Sequence, residues 1–228
     1  IEQGVLHGSI KTIFGQERLP EFEIEKTRTL LSFGADFLGT WISPTRYSTK
    51  YGHFRQGRDN RGKLIHVEPR MSITAAAADE WIPITPGKEG ELAMAIANVM
   101  INESLVAEEG IRAYTANMPD GAVNVFNPEA IADRSGTGVT LEKIRRIAHE
   151  LAENGPSLVI GGGSAGAHTN GSFNLNAIYA LNILLGSVGV DGGLRYNPDS
   201  PIKTLPSTAT GASFEQWEKE LSDWRAGN

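Results

Sequence analysis

An apolar run that ends in three consecutive glycines is the feature of this sequence that most restricts its fold. Residues 157–160 read Ser-Leu-Val-Ile, and residues 161–171 read GGGSAGAHTNG before the chain becomes apolar again. This order predicts a strand, a tight turn and the N-terminus of a helix. Such a turn directs free backbone N–H groups at an anion, usually a phosphate. We predict an anion-binding loop that contains Gly161, Gly162, Gly163, His168, Thr169 and Asn170.

Three further apolar runs complete the predicted sheet. Residues 29–34 form a buried strand that passes into Ala35 and Asp36, and residues 63–67 form a strand that passes into Glu68-Pro69-Arg70. Residues 81–84 predict a short strand at an edge, because the proline within them has no N–H group for a central ladder.

Segments with helical periodicity alternate with these runs. We predict helices at about 91–102, after a Pro-Gly turn, at 140–151, capped by Thr140, and at about 173–185. A helix after Pro44 and a terminal helix at 214–225 are also predicted. The alternation predicts an α/β fold, with a doubly wound, mainly parallel sheet of the Rossmann type. We expect the strands at 29–34, 63–68 and 157–161 to be adjacent or nearly so, with their carboxyl ends at one edge of the sheet, because ligands bind beyond such ends.

Composition excludes several classes of function. The formal net charge is −6 and no run of Lys or Arg forms a patch, so nucleic acid is not an expected partner. The absence of Cys excludes disulfides, thiolate nucleophiles and an iron–sulfur cluster held by this segment's own cysteines. No apolar stretch is long enough for a direct membrane span, and no signal peptide is visible. We expect the chain to be part of a longer protein.

Four blocks of the sequence, in this order, resemble the large subunits of the molybdopterin oxidoreductase (dimethyl sulfoxide reductase) family. The blocks are LLSFGADFLGTW, GKLIHVEPRMSITAAAADEWIPITPGKEGELAMAIANVMI, SLVIGGGSAGAHTNG and LNILLGSVGVDGGLRY, and they run from about Leu30 to Tyr196. The amino-acid sequence of these blocks is most similar to that of the respiratory branch of the family. This branch includes polysulfide-reductase-like enzymes and subunits of alternative complex III and quinone reductase complexes. The resemblance implies that residues 1–196 form a domain that cradles molybdopterin guanine dinucleotide. Residues 197–228 are then a loop and helix leading to a missing region.

The resemblance also implies roles for residues at the first two strand ends. Gly34, Ala35 and Asp36 match the loop after the family's first strand. Glu68, Pro69 and Arg70 match a segment usually written Asp-Pro-Arg, whose acid lies near the guanosine ribose.

Two more segments match family motifs. Pro86, Gly87, Lys88 and Glu89 match a usual Pro-Gly-Thr-Asp, in which the Asp pairs with the guanine edge, and the stretch from His168 to Gly171 matches the usual His-x-Asn-Gly. Glu replaces Asp at positions 68 and 89, and Lys88 replaces Thr. Each Glu is one methylene longer, which displaces its carboxylate and is compatible with loss of the cofactor.

Structural roles compete with these ligand roles. Asp36 could instead cap a turn, as Asp residues commonly do. Arg70 could form an ordinary ion pair, and His168 could stabilise its own loop. We interpret His66 as a structural histidine and the aromatic side chains at positions 41, 47, 51 and 54 as core. The remaining histidines lack the spacing of a zinc site, and Ser164 lacks the surroundings of a nucleophile elbow.

The function that follows is the cofactor-cradling domain of an oxidoreductase in respiratory electron transfer. Its implied partners are the remaining domains of the same large subunit and the iron–sulfur and membrane subunits of a respiratory complex, at the periplasmic face of a bacterial inner membrane. Alone, this segment is expected to be inactive. One alternative is a cofactor-free scaffold in a quinone-linked complex. A second, an unrelated NAD or FAD domain, lacks the Gly-x-Gly-x-x-Gly that it needs after the first strand.

Overall fold

The computed structural model describes residues 2–57, 61–133 and 136–197. The central element is a parallel sheet of four strands: β2 (Thr29–Phe33), β3 (Lys63–Val67), β4 (Glu80–Ile82) and β5 (Ser157–Gly161). A separate antiparallel pair joins β1 (Glu21–Phe22) to β6 (Leu194–Arg195). The predicted helix at 214–225 lies outside the described residues.

The order of the parallel strands is β4-β3-β2-β5, so the predicted neighbours are indeed adjacent. Thr29 aligns with Lys63 on one side and with Ser157 on the other, which brings the carboxyl ends of the three strands to one edge. The order reverses between β2 and β5, as in a doubly wound sheet, and this reversal creates the switch point where such sheets bind ligands. The predicted fold class is confirmed.

Eight helices surround the sheet within the described part of the chain. They are α1 (Glu2–Phe14), α2 (Pro44–Phe54), α3 (Ile73–Ala77), α4 (Glu89–Asn102), α5 (Glu108–Thr115), α6 (Pro128–Asp133), α7 (Leu141–Glu153) and α8 (Gly171–Leu184). Two 3-10 turns cover Ala122–Phe126 and Gly163–Gly166. No helix in these ranges has the length and apolarity that a bilayer crossing requires.

Most helix predictions are correct in type and differ only at the ends. Thr140 caps α7 by accepting a hydrogen bond from the Lys143 N–H group, as its sequence pattern predicted. Helices α4 and α8 each begin two residues earlier than predicted, at Glu89 and Gly171. The sequence prediction missed α1, whose Leu6 and Ile10 are buried but whose glycines weaken the helical pattern.

Two central strands and two helices of the structure are largely buried in the hydrophobic core. Every residue of β2 and β5 is buried, and most of α4 and α8 is buried as well. Trp41, Tyr47 and Phe54 belong to this core, as predicted, whereas Tyr51 is half-buried against it. The compact unit spans Ile1–Asn197, and the division of the chain near residue 196 into two parts remains a prediction.

Candidate functional site

The loops that follow β2 and β5 interlock at the switch point. The Gly162 N–H group donates to the Phe33 carbonyl (3.0 Å), and the Gly34 N–H group donates to the Val67 carbonyl (2.9 Å). Gly34 has φ +62°, and a Cβ there would lie 2.7 Å from both the Ala165 nitrogen and the Gly162 oxygen. Since neither backbone has room for a side chain at this point, the glycines are required for the loops to meet.

Asp36 connects the first loop to α3. Its Oδ1 accepts hydrogen bonds from the Thr74 hydroxyl (2.7 Å) and the Thr74 N–H group (3.1 Å). Its Oδ2 lies 3.7 Å from a guanidinium nitrogen of Arg70. The buried Asp36 carboxylate therefore organises two neighbouring segments, and its turn-capping interpretation is compatible with this geometry.

Glu68 lies under Arg70 at the end of β3. One carboxylate oxygen is 3.2 Å from His66 Nε2 and the other is 3.4 Å from Arg70 Nε, while the Glu68 carbonyl accepts a hydrogen bond from Trp81 (2.9 Å). Burial favours the neutral carboxyl, but the hydrogen bonds from His66 and Ser72 and the charge of Arg70 outweigh it and hold the pKa of Glu68 below its usual range. The longer Glu side chain thus reaches back to His66.

We expect Glu68→Ala to reduce the free energy of unfolding by about 1–3 kcal/mol at neutral pH, because it leaves buried polar partners unsatisfied. A carboxyl whose pKa is lowered on folding stabilises the protein above its unfolded-state pKa. That contribution is lost as the pH falls through the folded-state pKa. Urea unfolding between pH 7 and pH 3 tests this, with Glu109→Ala as the control at an exposed glutamate. A loss that stays constant over this pH range would contradict the predicted role of the Glu68 charge.

A second group of site residues surrounds the turn before α4. The Asn170 side-chain amide donates to the Gly87 carbonyl (2.7 Å), and Gly87 adopts φ +82° next to Asn170 and His168. Lys88 extends to Glu91, where its ammonium group is 2.6 Å from the carboxylate. Pro86 and Thr169 lie exposed on the rim. The structure therefore brings together the Pro-Gly turn and the glycine loop, as the resemblance implied.

Glu89 is the most unusual residue of this second group. Its side chain is 0% exposed, one oxygen accepts a hydrogen bond from Asn174 (3.2 Å), and the other finds no hydrogen-bond partner among the described residues. Burial raises the pKa of Glu89, although backbone N–H groups and nearby His168 oppose the rise. Glu89 is thus a carboxylate with a free acceptor and no exposed surface.

Two more buried polar groups at this edge are unsatisfied within the described ranges. They are the indole nitrogen of Trp41, which packs against Gly162, and the hydroxyl of Ser164, which packs against Gly34. Arg70 contrasts with them, since its side chain is 67% exposed. The edge of the sheet therefore presents an exposed cation, two buried donors and one unpaired acceptor.

Sequence reasoning missed Asn174, which lies between the two groups. It is fully buried on α8 and contacts both the first turn of α4 and the glycine loop. The sequence did contain an indication of this role, since Asn174, Asn176 and Asn182 lie in a predicted helix that is otherwise mostly apolar. Buried amides need specific hydrogen-bond partners, so these residues could have been examined as bridging groups. The described residues contain no cluster of three or more acidic or histidine side chains placed to hold a metal ion.

Comparison with known proteins shows which family this chain belongs to. Residues 8–213 match the family described as molybdopterin oxidoreductase. The chain belongs to the molybdopterin oxidoreductase family. It is 32% identical over 193 residues to the menaquinone reductase molybdopterin-binding-like subunit of Nitratidesulfovibrio vulgaris, with 82% of this chain and 26% of that protein covered.

Two further proteins are similar to this chain. The arsenate respiratory reductase molybdopterin-containing subunit of Chrysiogenes arsenatis is 29% identical over 210 residues, covering 82% of this chain and 24% of the relative. Acetylene hydratase from Pelobacter acetylenicus shares the fold, with a TM-score of 0.62 at 22% identity over 81% of this chain and 24% of that one. The chain therefore spans about a quarter of the length of these relatives.

Proposed function

We propose that this chain is the domain that cradles the dinucleotide of molybdopterin guanine dinucleotide in a large subunit of respiratory electron transfer. The observation that carries the proposal is the meeting of three loops, after β2, β3 and β5, at the switch point of the sheet. Ligands bind at such points in doubly wound folds. Family membership and the names of the relatives, which include molybdopterin-containing subunits, support the same assignment.

The polar groups at this edge fit a dinucleotide. A pyrophosphate would lie at the N-terminus of α8, whose first-turn N–H groups have no carbonyl partner within the helix, and Arg70 would add positive charge. The unpaired oxygen of Glu89 is an acceptor of the kind that the N–H donors of a guanine edge require. When bound, the metal centre of the cofactor supplies the redox chemistry, and this chain holds and orients the nucleotide end.

Some observations favour the alternative of a cofactor-free scaffold. Both oxygens of Glu68 already have partners, so a ribose hydroxyl must displace Arg70 or share its carboxylate. Glu89 has no exposed surface, so a base reaches it only if the side chains that cover it move. Molybdenum and pterin analysis of the purified full-length protein distinguishes the two functions, since a scaffold contains neither.

A nucleotide titration tests the binding function on this chain directly. We expect guanosine diphosphate to bind more tightly than adenosine diphosphate, and Arg70→Ala to weaken binding of both by about tenfold, because a charge-assisted contact to phosphate is lost. Arg28→Ala is the matched control, since Arg28 is exposed at the opposite edge of the sheet. Isothermal calorimetry measures the affinities. Equal affinity for the two nucleotides would remove Glu89 from base recognition, and unchanged affinity in Arg70→Ala would remove Arg70.

The assembly around the domain forms part of the same proposal. The remaining domains of the large subunit would cover the cofactor, and iron–sulfur and membrane subunits would carry electrons to or from it. We place the complete complex at the periplasmic face of a bacterial inner membrane. The relatives are named as subunits, including one of menaquinone reductase, which supports a multi-subunit complex.

A further inference from the structure

The side chain of Asn174 contacts both halves of the candidate site. Its amide nitrogen donates to the Ala165 carbonyl in the glycine loop (3.1 Å) and to Glu89 (3.2 Å). Its oxygen accepts from the Gly90 N–H group at the start of α4 (3.1 Å) and from the Asn170 side chain (3.3 Å). One amide thus uses its full hydrogen-bonding capacity to connect the start of α4 to the glycine loop, and its bonds to Gly90 and Glu89 span 84 and 85 positions of the sequence.

The surroundings of Asn174 leave little freedom to this arrangement. A Cβ at Gly90 would lie 2.7 Å from Asn174 Oδ1, so α4 and α8 approach as closely as a glycine permits. Asn174 is 0% exposed, so water has no access to replace a lost bond. Removing the amide would leave the Gly90 donor and the Ala165 acceptor unsatisfied at once.

We propose that Asn174 is a positioning residue that fixes the distance between the start of α4, directly after the Pro-Gly turn, and the glycine loop. This inference rests on the proposed function, because the two loops hold opposite ends of one nucleotide there. The Asn174 amide also orients Glu89, by binding one carboxylate oxygen and leaving the other free for the base. Preorganised loops bind more tightly, since less conformational freedom is lost when the ligand arrives.

The same helix contains a matched control. Asn182 is also fully buried and bridges to the backbone, with its amide donating to the Val159 carbonyl (2.8 Å) and its oxygen accepting from the Val159 N–H group (2.9 Å). Those bonds secure α8 to the middle of β5, not to a loop of the site. Asn182→Ala therefore removes a comparable buried amide and leaves both site loops connected.

The experiment measures amide hydrogen exchange and the affinity for guanosine diphosphate in the 228-residue chain and its Asn174→Ala and Asn182→Ala variants. We expect Asn174→Ala to accelerate exchange at Gly90 and over residues 165–171 by about tenfold, through local opening of the loops. We expect the same variant to weaken nucleotide binding by about fivefold or more, through lost preorganisation. Asn182→Ala should change neither quantity, even though it lowers stability.

The possible results separate failure of the positioning role of Asn174 from failure of the proposed nucleotide-binding function. Wild-type exchange at Gly90 in Asn174→Ala, or equal acceleration there in Asn182→Ala, would overturn the positioning role. Faster local exchange with unchanged nucleotide affinity would overturn it as well, because the loops would then move without consequence for binding. If the wild-type chain itself binds no nucleotide, the proposed function fails on this chain. The role in fixing the loops is then decided by the exchange data alone.

Discussion

We expect Gly34→Ala to reduce the free energy of unfolding by about 3 kcal/mol. Left-handed backbone costs a residue with a Cβ about 1–2 kcal/mol, and forcing atoms into a filled space costs a further ~1–3 kcal/mol. Both penalties apply at Gly34, where φ is +62° and the new methyl group would meet the backbone of Gly162 and Ala165. Urea unfolding monitored by circular dichroism measures the loss.

Gly15→Ala separates the two contributions. Gly15 has a similar φ of +68°, but a Cβ there would have no heavy atom within 4 Å. This control should therefore cost only about 1–2 kcal/mol, the backbone contribution. Equal losses in the two variants would show that the loops after β2 and β5 separate easily, and the interlocked switch point would then not be a rigid support for a ligand.

The sheet and its loops were predictable because their signals are local. The apolar run before Gly161 and the run before Gly34 each combine a strand pattern with glycines that the next turn requires. Parallel pairing then places both loops on one edge, with no further information from side chains. The expectation that β3, β2 and β5 are adjacent or nearly so came from the rule that ligands bind at the carboxyl ends of such strands, and the observed strand order agrees with it.

The orientation of the acidic side chains was not predictable in the same way. The resemblance implies that Glu68 and Glu89 occupy positions where the family usually has Asp, but it does not show which partners each longer side chain meets. Glu68 turns toward His66, two residues earlier on the same strand, and Glu89 turns toward Asn174, far along the chain. The contact between Glu89 and Asn174 depends on how α8 packs against α4, and no local pattern encodes it.

We expect Glu89→Gln to raise the free energy of unfolding at neutral pH by about 1–3 kcal/mol, because the wild-type chain buries a negative charge and the glutamine amide carries none. The glutamine oxygen can still accept the hydrogen bond from Asn174, so the connection between the loops is kept. Glu91→Gln is the control on the same helix turn, and it removes only a partly exposed contact with Lys88.

The pH dependence identifies the charge as the cause. Because burial raises the folded-state pKa of Glu89, the folded protein binds the proton more tightly than the unfolded chain does. The contribution of Glu89 to wild-type stability therefore falls as the pH rises from its unfolded-state pKa to its folded-state pKa, and Glu89→Gln has no such fall. The advantage of the variant over the wild type should be absent in acid and increase as the pH rises toward the folded-state pKa of Glu89. If the amide also lowers affinity for guanosine diphosphate, then Glu89 reduces the stability of the free domain in order to recognise the base. An advantage that persists in acid would show that packing, and not charge, distinguishes the two side chains.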